Sequence, residues 1–216
     1  MKTPGNFWSS IWDFSEIKGF KSKTKIKKSK IFYKNKFLPN SKLNFAENLL
    51  SKNNKNKAIT FVSENGFREE RSWYELNINV SKISKFLKSI KIKKKDRVAA
   101  YMPNTIETIE AFIASSSLGA IWSSCSPDFG VKGVVERFSQ ISPKVLFVVD
   151  KYFYNGKIIN ILERVPLILK EIPSIEYVVI VNYPGEKYLE NKYTSKKSKV
   201  LKWSELMKQE SEEIQF

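Results

Sequence analysis

Histidine is absent from this sequence. That removes Ser–His and Cys–His nucleophile pairs and histidine metal sites. General acid–base work is left to Asp, Glu, Lys, Tyr or Cys. Cysteine occurs once, at Cys125, which excludes an internal disulfide and a cysteine zinc cluster. Beside a strand end it reads as a small buried hydrophobe. Glycine is scarce, with eight in 216 residues, and neither G-x-x-x-x-G-K-[ST] nor G-x-G-x-x-G occurs. No run of about 18 apolar residues exists, so no membrane span is expected. The start, Met1-Lys-Thr-Pro-Gly-Asn-Phe-Trp8, lacks an apolar signal core, and a cytoplasmic location follows as the default expectation.

What is present is a basic, globular chain. Hydrophobic residues make up 42%, and a chain of this length can bury roughly 70% of its unfolded surface. The formal charge of +16 invites a nucleic-acid reading. Arginine argues against it. Only Arg68, Arg71, Arg97, Arg137 and Arg164 occur among 38 basic residues, which leaves 33 lysines. Bidentate readers of phosphates and bases favour arginine. The lysines therefore read as a solvated face, and no nucleic-acid partner is expected.

The chain divides by pattern. Residues 1–57 open with an aromatic helical face (Trp8, Ile11, Trp12), pass through a lysine-rich connector at 21–36, and reach a turn entering a short helix over Phe37–Leu50. Residues 58–185 are regular. A strand at Ala58–Ser63, an Asn65-Gly66 hairpin turn and a return at Phe67–Arg71 lead to Ser72-Trp-Tyr-Glu75, which matches a capping box. Behind it Leu76, Val80, Ile83, Leu87 and Ile90 form one apolar stripe. Strands are predicted at Arg97–Met102, Ala120–Ser124, Lys144–Val149 and Glu176–Val181, with helical runs at 105–118, 131–141 and 158–171. This alternation predicts an α/β fold, a mostly parallel sheet of βαβ units with flanking helices and a helical or irregular amino-terminal extension. Residues 186–216 read as a charged loop and a polar end, with a short strand or helix at Val200–Met207.

Several segments carry a more specific signal: Leu43-Asn-Phe-Ala-Glu-Asn-Leu-Leu50, Arg97-Val-Ala-Ala-Tyr-Met-Pro-Asn104, Ser117-Leu-Gly-Ala-Ile-Trp-Ser-Ser-Cys-Ser-Pro-Asp-Phe-Gly130, Val135-Glu-Arg-Phe138, Pro143-Lys-Val-Leu-Phe147 and Tyr154-Asn-Gly-Lys157. Together they resemble the acetoacetate–CoA ligase branch of the adenylate-forming acyl-CoA synthetases. The resemblance implies that 1–57 is the family's amino-terminal cap region. It also implies that 58–185 is an incomplete amino-terminal subdomain of an acyl-CoA synthetase. The implied reaction joins acetoacetate to CoA through an acyl-adenylate, using ATP and magnesium and releasing AMP and pyrophosphate.

The resemblance also implies where CoA would lie. Tyr154, Asn155, Gly156 and Lys157 match a basic turn that contacts the CoA nucleotide, with Tyr154 standing where relatives carry an arginine. Ser126, Pro127 and Asp128 match a strand-end turn beside the pantetheine tunnel. Read locally, 154–157 is an Asn-Gly turn with a surface lysine, and Asp128 is an N-cap for the helix starting at Val131. Asp128 and Glu136 receive no acid–base role, because nothing in the sequence sets their geometry. The family's phosphate loop and catalytic lysine have no counterpart in these residues. Hence no catalytic residue, no metal ligand and no cofactor within the chain are expected, and activity alone is not. The alternatives are a subunit of a split ligase completed by a downstream polypeptide, or a non-enzymatic basic module binding CoA, nucleotide or RNA.

Overall fold

The computed structural model describes residues 3–187, 189 and 197–216. Residues 188 and 190–196 of the predicted charged loop lie outside them. Two compact units are present, Met1–Ser51 with Phe216 and Lys52–Gln215.

The first unit contains α1 (Pro4–Phe14), the two-residue strands β1 (Ile26–Lys27) and β2 (Lys36–Phe37), and α2 (Phe45–Leu49). The aromatic spacing does give a helix, and Pro4 starts it where no amide is needed. Trp12 is buried while Phe14 is largely exposed. In and just beyond the lysine-rich connector, β1 and β2 pair antiparallel. Asn44 caps α2 by accepting the Ala46 amide at 2.9 Å.

The second unit begins with the hairpin β3 (Lys57–Val62) and β4 (Arg68–Ser72). Helix α3 (Trp73–Ser89) follows directly. Both halves of the capping box form: Ser72 Oγ accepts the Glu75 amide, and the Glu75 carboxylate accepts the Ser72 amide at 2.9 Å. Leu76, Val80, Ile83 and Leu87 are buried, as their spacing requires, and Ile90 at the helix end is half-buried.

Next come β5 (Arg97–Tyr101), α4 (Ile106–Ser117), β6 (Ile121–Cys125), α5 (Val131–Phe138) and β7 (Val145–Val149). A second hairpin, β8 (Lys151–Tyr154) and β9 (Lys157–Asn160), precedes α6 (Val165–Glu171), β10 (Tyr177–Val181), β11 (Lys199–Lys202) and α7 (Trp203–Met207). The helical run expected at 158–171 is therefore corrected at its start, where Ile158 and Ile159 pair with Phe153 and Tyr152 across β8 and β9. Asn155 and Gly156 both have positive φ, 49° and 72°. That is the backbone of a two-residue hairpin turn, which an Asn-Gly pair adopts readily.

Five strands form one parallel sheet in the order β11-β10-β7-β5-β6. Val145–Val149 are fully buried, which explains their unbroken apolar run. The chain leaves β5 for β6 on one side, then returns past β5 to β7 on the other. With right-handed crossovers this places α4 and α5 on opposite faces of the sheet. In accord with that, α3 packs on α4 and α7, whereas α5 packs on α6. The reversal between β5 and β7 is a topological switch point, where the carboxyl ends of the strands open a crevice.

Candidate functional site at the sheet's switch point

The carboxyl ends of β5, β6 and β7 supply the crevice with side chains. β5 ends at Tyr101, which is fully buried. Its hydroxyl donates to the carbonyl of Pro127, 3.1 Å away, or to that of Phe129. Arg164, reaching in from the turn before α6, donates from Nη1 to the Tyr101 hydroxyl at 2.6 Å and to the carbonyls of Pro127 at 2.9 Å and Phe129 at 3.2 Å. One guanidinium thus holds both ends of the turn that follows β6. Burial pushes the Tyr101 hydroxyl pKa up, and Arg164 acts in the opposite sense.

Within that turn, Ser126 Oγ donates to the Asp128 carboxylate at 2.6 Å and accepts the Asp128 amide at 3.4 Å. Asp128 is not the N-cap of α5. The cap is Gly130, without a side-chain bond. The carboxylate instead serves the local turn and faces Tyr152 on β8, whose hydroxyl pKa is pushed up to about 12 by burial and by Asp128. The ring of Tyr152 lies 6.3 Å from that of Tyr154. The Ser126-Pro127-Asp128 turn and the Tyr154 end of the second hairpin are therefore joined through Tyr152.

The hairpin tip is more constrained than its sequence suggests. Tyr154 is 57% exposed, Gly156 and Lys157 are exposed, and Asn155 is at the turn. The Asn155 amide, though, donates to the Glu64 carboxylate at 2.8 Å. Glu64 sits beside the Asn65-Gly66 turn of the first hairpin, so the two turns meet tip to tip. Asn65 in turn donates to Glu186 at 3.2 Å.

Three structural anchors escaped the sequence reading. Arg164 was visible only as one of five arginines, with no motif around it. Asp150, at the end of β7, is buried and accepts the amides of Lys151, Tyr183 and Leu189 at 2.8, 2.8 and 3.0 Å. It binds the β7 end to the segment after β10, and burial pushes its carboxyl pKa up. Glu110 on α4 accepts Arg71 Nε and Asn79 Nδ2, both at 2.9 Å, while its Oε2 has no partner among the described residues. Its signal was legible in principle: Glu110 falls four residues after Ile106 and three before Ile113, on the buried stripe of α4. Cys125 is buried at the end of β6, and burial pushes its thiol pKa up.

This arrangement can bind and orient. It offers a clamped turn and exposed aromatic and basic groups on a neighbouring hairpin. Among the described residues no group of three or more Cys, Asp or Glu side chains is gathered to hold a metal ion. No helix of the described residues is long and apolar enough to cross a membrane.

Comparison with known proteins agrees with the geometry. A family profile described as AMP-binding enzyme matches residues 47–214. The acetoacetyl-coenzyme A synthetase of Rhizobium meliloti (strain 1021) is 40% identical over 182 residues, which cover 84% of this chain and 28% of that protein. The acetoacetyl-CoA synthetase of Xenopus tropicalis is 41% identical over 187 residues, with the same coverage of 84% and 28%. Among solved structures, the acetoacetyl-CoA synthetase from Streptomyces lividans superposes with a TM-score of 0.84 at 25% identity, covering 97% of this chain and 32% of that one. The chain thus spans less than a third of the length of these relatives.

Proposed function

The chain belongs to the AMP-binding enzyme family, and from that premise we propose that it forms the CoA-facing amino-terminal part of an acetoacetate–CoA ligase. The reaction is ATP + acetoacetate + CoA to acetoacetyl-CoA + AMP + pyrophosphate. In this reading residues 1–57 are the cap region and 58–185 the α/β subdomain, with 186–216 following as a charged loop and end. The supporting observation is the clamped Ser126-Pro127-Asp128 turn at the switch point, linked through Tyr152 to Tyr154.

Each residue then has a role. Lys157 pairs with a CoA phosphate, Tyr154 stacks on or hydrogen-bonds the nucleotide, and Gly156 permits close backbone approach. Ser126, Pro127 and Asp128 form one wall for the pantetheine arm. Tyr101 and Arg164 position that wall without touching the ligand. ATP, CoA and magnesium are substrates and ion of the whole enzyme. The 216 residues contain no glycine-rich phosphate loop, so as an isolated polypeptide they should release no pyrophosphate.

The test has two arms. The isolated chain is assayed for pyrophosphate release with ATP, magnesium, acetoacetate and CoA, and the expected signal equals the buffer control. Residues 47–214 are then grafted in place of the matching segment of the Rhizobium relative. The folded chimera should consume CoA thiol with acetoacetate in an ATP-dependent way, faster than with acetate. Lys157→Ala in the chimera should raise the KM for CoA about two- to fivefold, as loss of one exposed charge contact does. A folded chimera that forms no thioester overturns the ligase reading. An unchanged KM for CoA removes the 154–157 site while leaving the ligase reading intact.

A further inference from the structure

A second cleft lies apart from the clamped turn, at the other side of the sheet's carboxyl edge. Its volume is about 540 Å³. The end of β10 and the following turn, Ile180 to Pro184, form its floor, and Trp203 at the start of α7 forms a wall. Glu69 of β4 and Glu107 of α4 line the opposite side. Lys202 lines it as well, so the cleft gathers two carboxylates and one ammonium.

Two polar atoms here are buried and have no partner among the described residues: Glu107 Oε2 and Asn182 Oδ1. Neither orphan is easily reassigned. The Asn182 amide nitrogen already donates to the carbonyls of Tyr183 at 3.2 Å and Glu186 at 2.9 Å, so the oxygen is the atom left over. Glu107 bonds Thr105 while its Oε2 stays unmatched. Glu69 is engaged by Arg71 at 3.0 Å. Buried acceptors without donors are rare in folded proteins and each costs free energy. As a carboxylate oxygen and an amide oxygen both atoms accept; burial pushes the Glu107 carboxyl pKa up, and an arriving cation would favour its charged form.

We propose that this cleft binds a guanidinium-type group, with its planar face toward Trp203 and its N–H fork bridging Glu107 and Asn182. The choice follows from the donor inventory. Two acceptors on different side chains need two divergent N–H groups held in one plane, which guanidinium supplies rigidly and an ammonium does not. An aromatic wall attracts a planar cation by its face. Ile180, Val181 and Pro184 suit the methylene stem such a group carries. The group can come from a free small molecule or from an arginine side chain of a polypeptide.

The test uses two probes on the folded chain: ethylguanidinium, and N-acetyl-arginine methylamide. Binding is followed by calorimetry, with n-propylammonium and N-acetyl-norleucine methylamide as controls. At least one guanidinium probe should bind, and its control should bind about tenfold more weakly or worse. Ethylguanidinium binding as well as the peptide analogue supports a free ligand. Tighter binding of the peptide analogue supports a polypeptide source. Glu107→Gln should weaken binding about tenfold or more, as loss of a charged hydrogen bond does. Trp203→Leu is the second variant, should the first not fold, and should weaken binding severalfold. No binding of either probe below about 10 mM, binding equal to the controls, or binding unchanged in the folded variants overturns the proposal.

Discussion

The most exacting prediction concerns Glu110. Its carboxyl is fully buried between α3 and α4, with Arg71 and Asn79 on one oxygen and nothing on the other among the described residues. Burial raises its pKa from the ordinary 4.5 to about 7, outweighing the help of Arg71. Below pH 4.5 both folded and unfolded states hold the proton, and Glu110 contributes no pH dependence. Between 4.5 and 7 the unfolded chain has released the proton while the folded one keeps it. The folded state then binds more protons, so stability must fall as pH rises, and the loss levels off above 7. At about 1.4 kcal/mol per pH unit, the full loss is roughly 3 kcal/mol. Glu110→Gln keeps the shape and removes the titration. Urea unfolding at pH 4.5, 5.5, 6.5 and 8, extrapolated to water, should show the variant gaining on the parent by roughly 3 kcal/mol across that range. Subtraction cancels slopes shared by both proteins, including that of Asp150. A flat difference would refute the burial argument. A difference of opposite sign would mean that Arg71 and Asn79 hold the carboxylate charged despite the low dielectric.

Three further outcomes are expected. Leu87→Ala, at a fully buried position of the α3 stripe, should cost roughly 2–5 kcal/mol in urea unfolding. Gly185→Ala should cost roughly 2–4 kcal/mol in the same assay. Gly185 has φ of 77°, and a Cβ there would fall 2.5 Å from the Phe67 ring. Arg164→Gln removes the fork that serves Tyr101, Pro127 and Phe129 together. It should destabilise by roughly 1–3 kcal/mol, and in the chimera it should raise the KM for CoA more than it lowers kcat; an unchanged KM would reduce Arg164 to a purely structural strut.

The regular parts of the fold were legible because local and global signals agree there. Ser72 and Glu75 cap a helix whose stripe is buried, and Val145–Val149 read as a strand covered on both faces. Failures came where short-range pattern and tertiary pairing diverge. Lys157–Asn160 continues into an apolar run of helical look, yet the backbone at Asn155-Gly156 turns it into a hairpin partner of β8. Asp128 stands at a plausible capping distance from α5, but Ser126 engages it and the helix starts at Gly130. The clamped turn itself was found as a strand-end segment. Its holder, Arg164, lies 63 residues from Tyr101 along the chain, beyond any local periodicity, so only the folded sheet brings them together.

The contact between Glu64 and the Asn155 amide has a consequence for anion recognition at the second hairpin. A carboxylate already sits on the backbone donor that a phosphate would seek. In the proposed CoA complex an incoming phosphate would trade places with Glu64, so the exchange would swap one anion for another, with a small net gain unless Lys157 joined in. The swap would also cost the first hairpin its link to Asn155, leaving Asn65 on Glu186 to hold the turn. Occupancy at the Asn155-Gly156 turn would thereby be felt at Glu64, 91 residues away in sequence, by displacement of a resident charge.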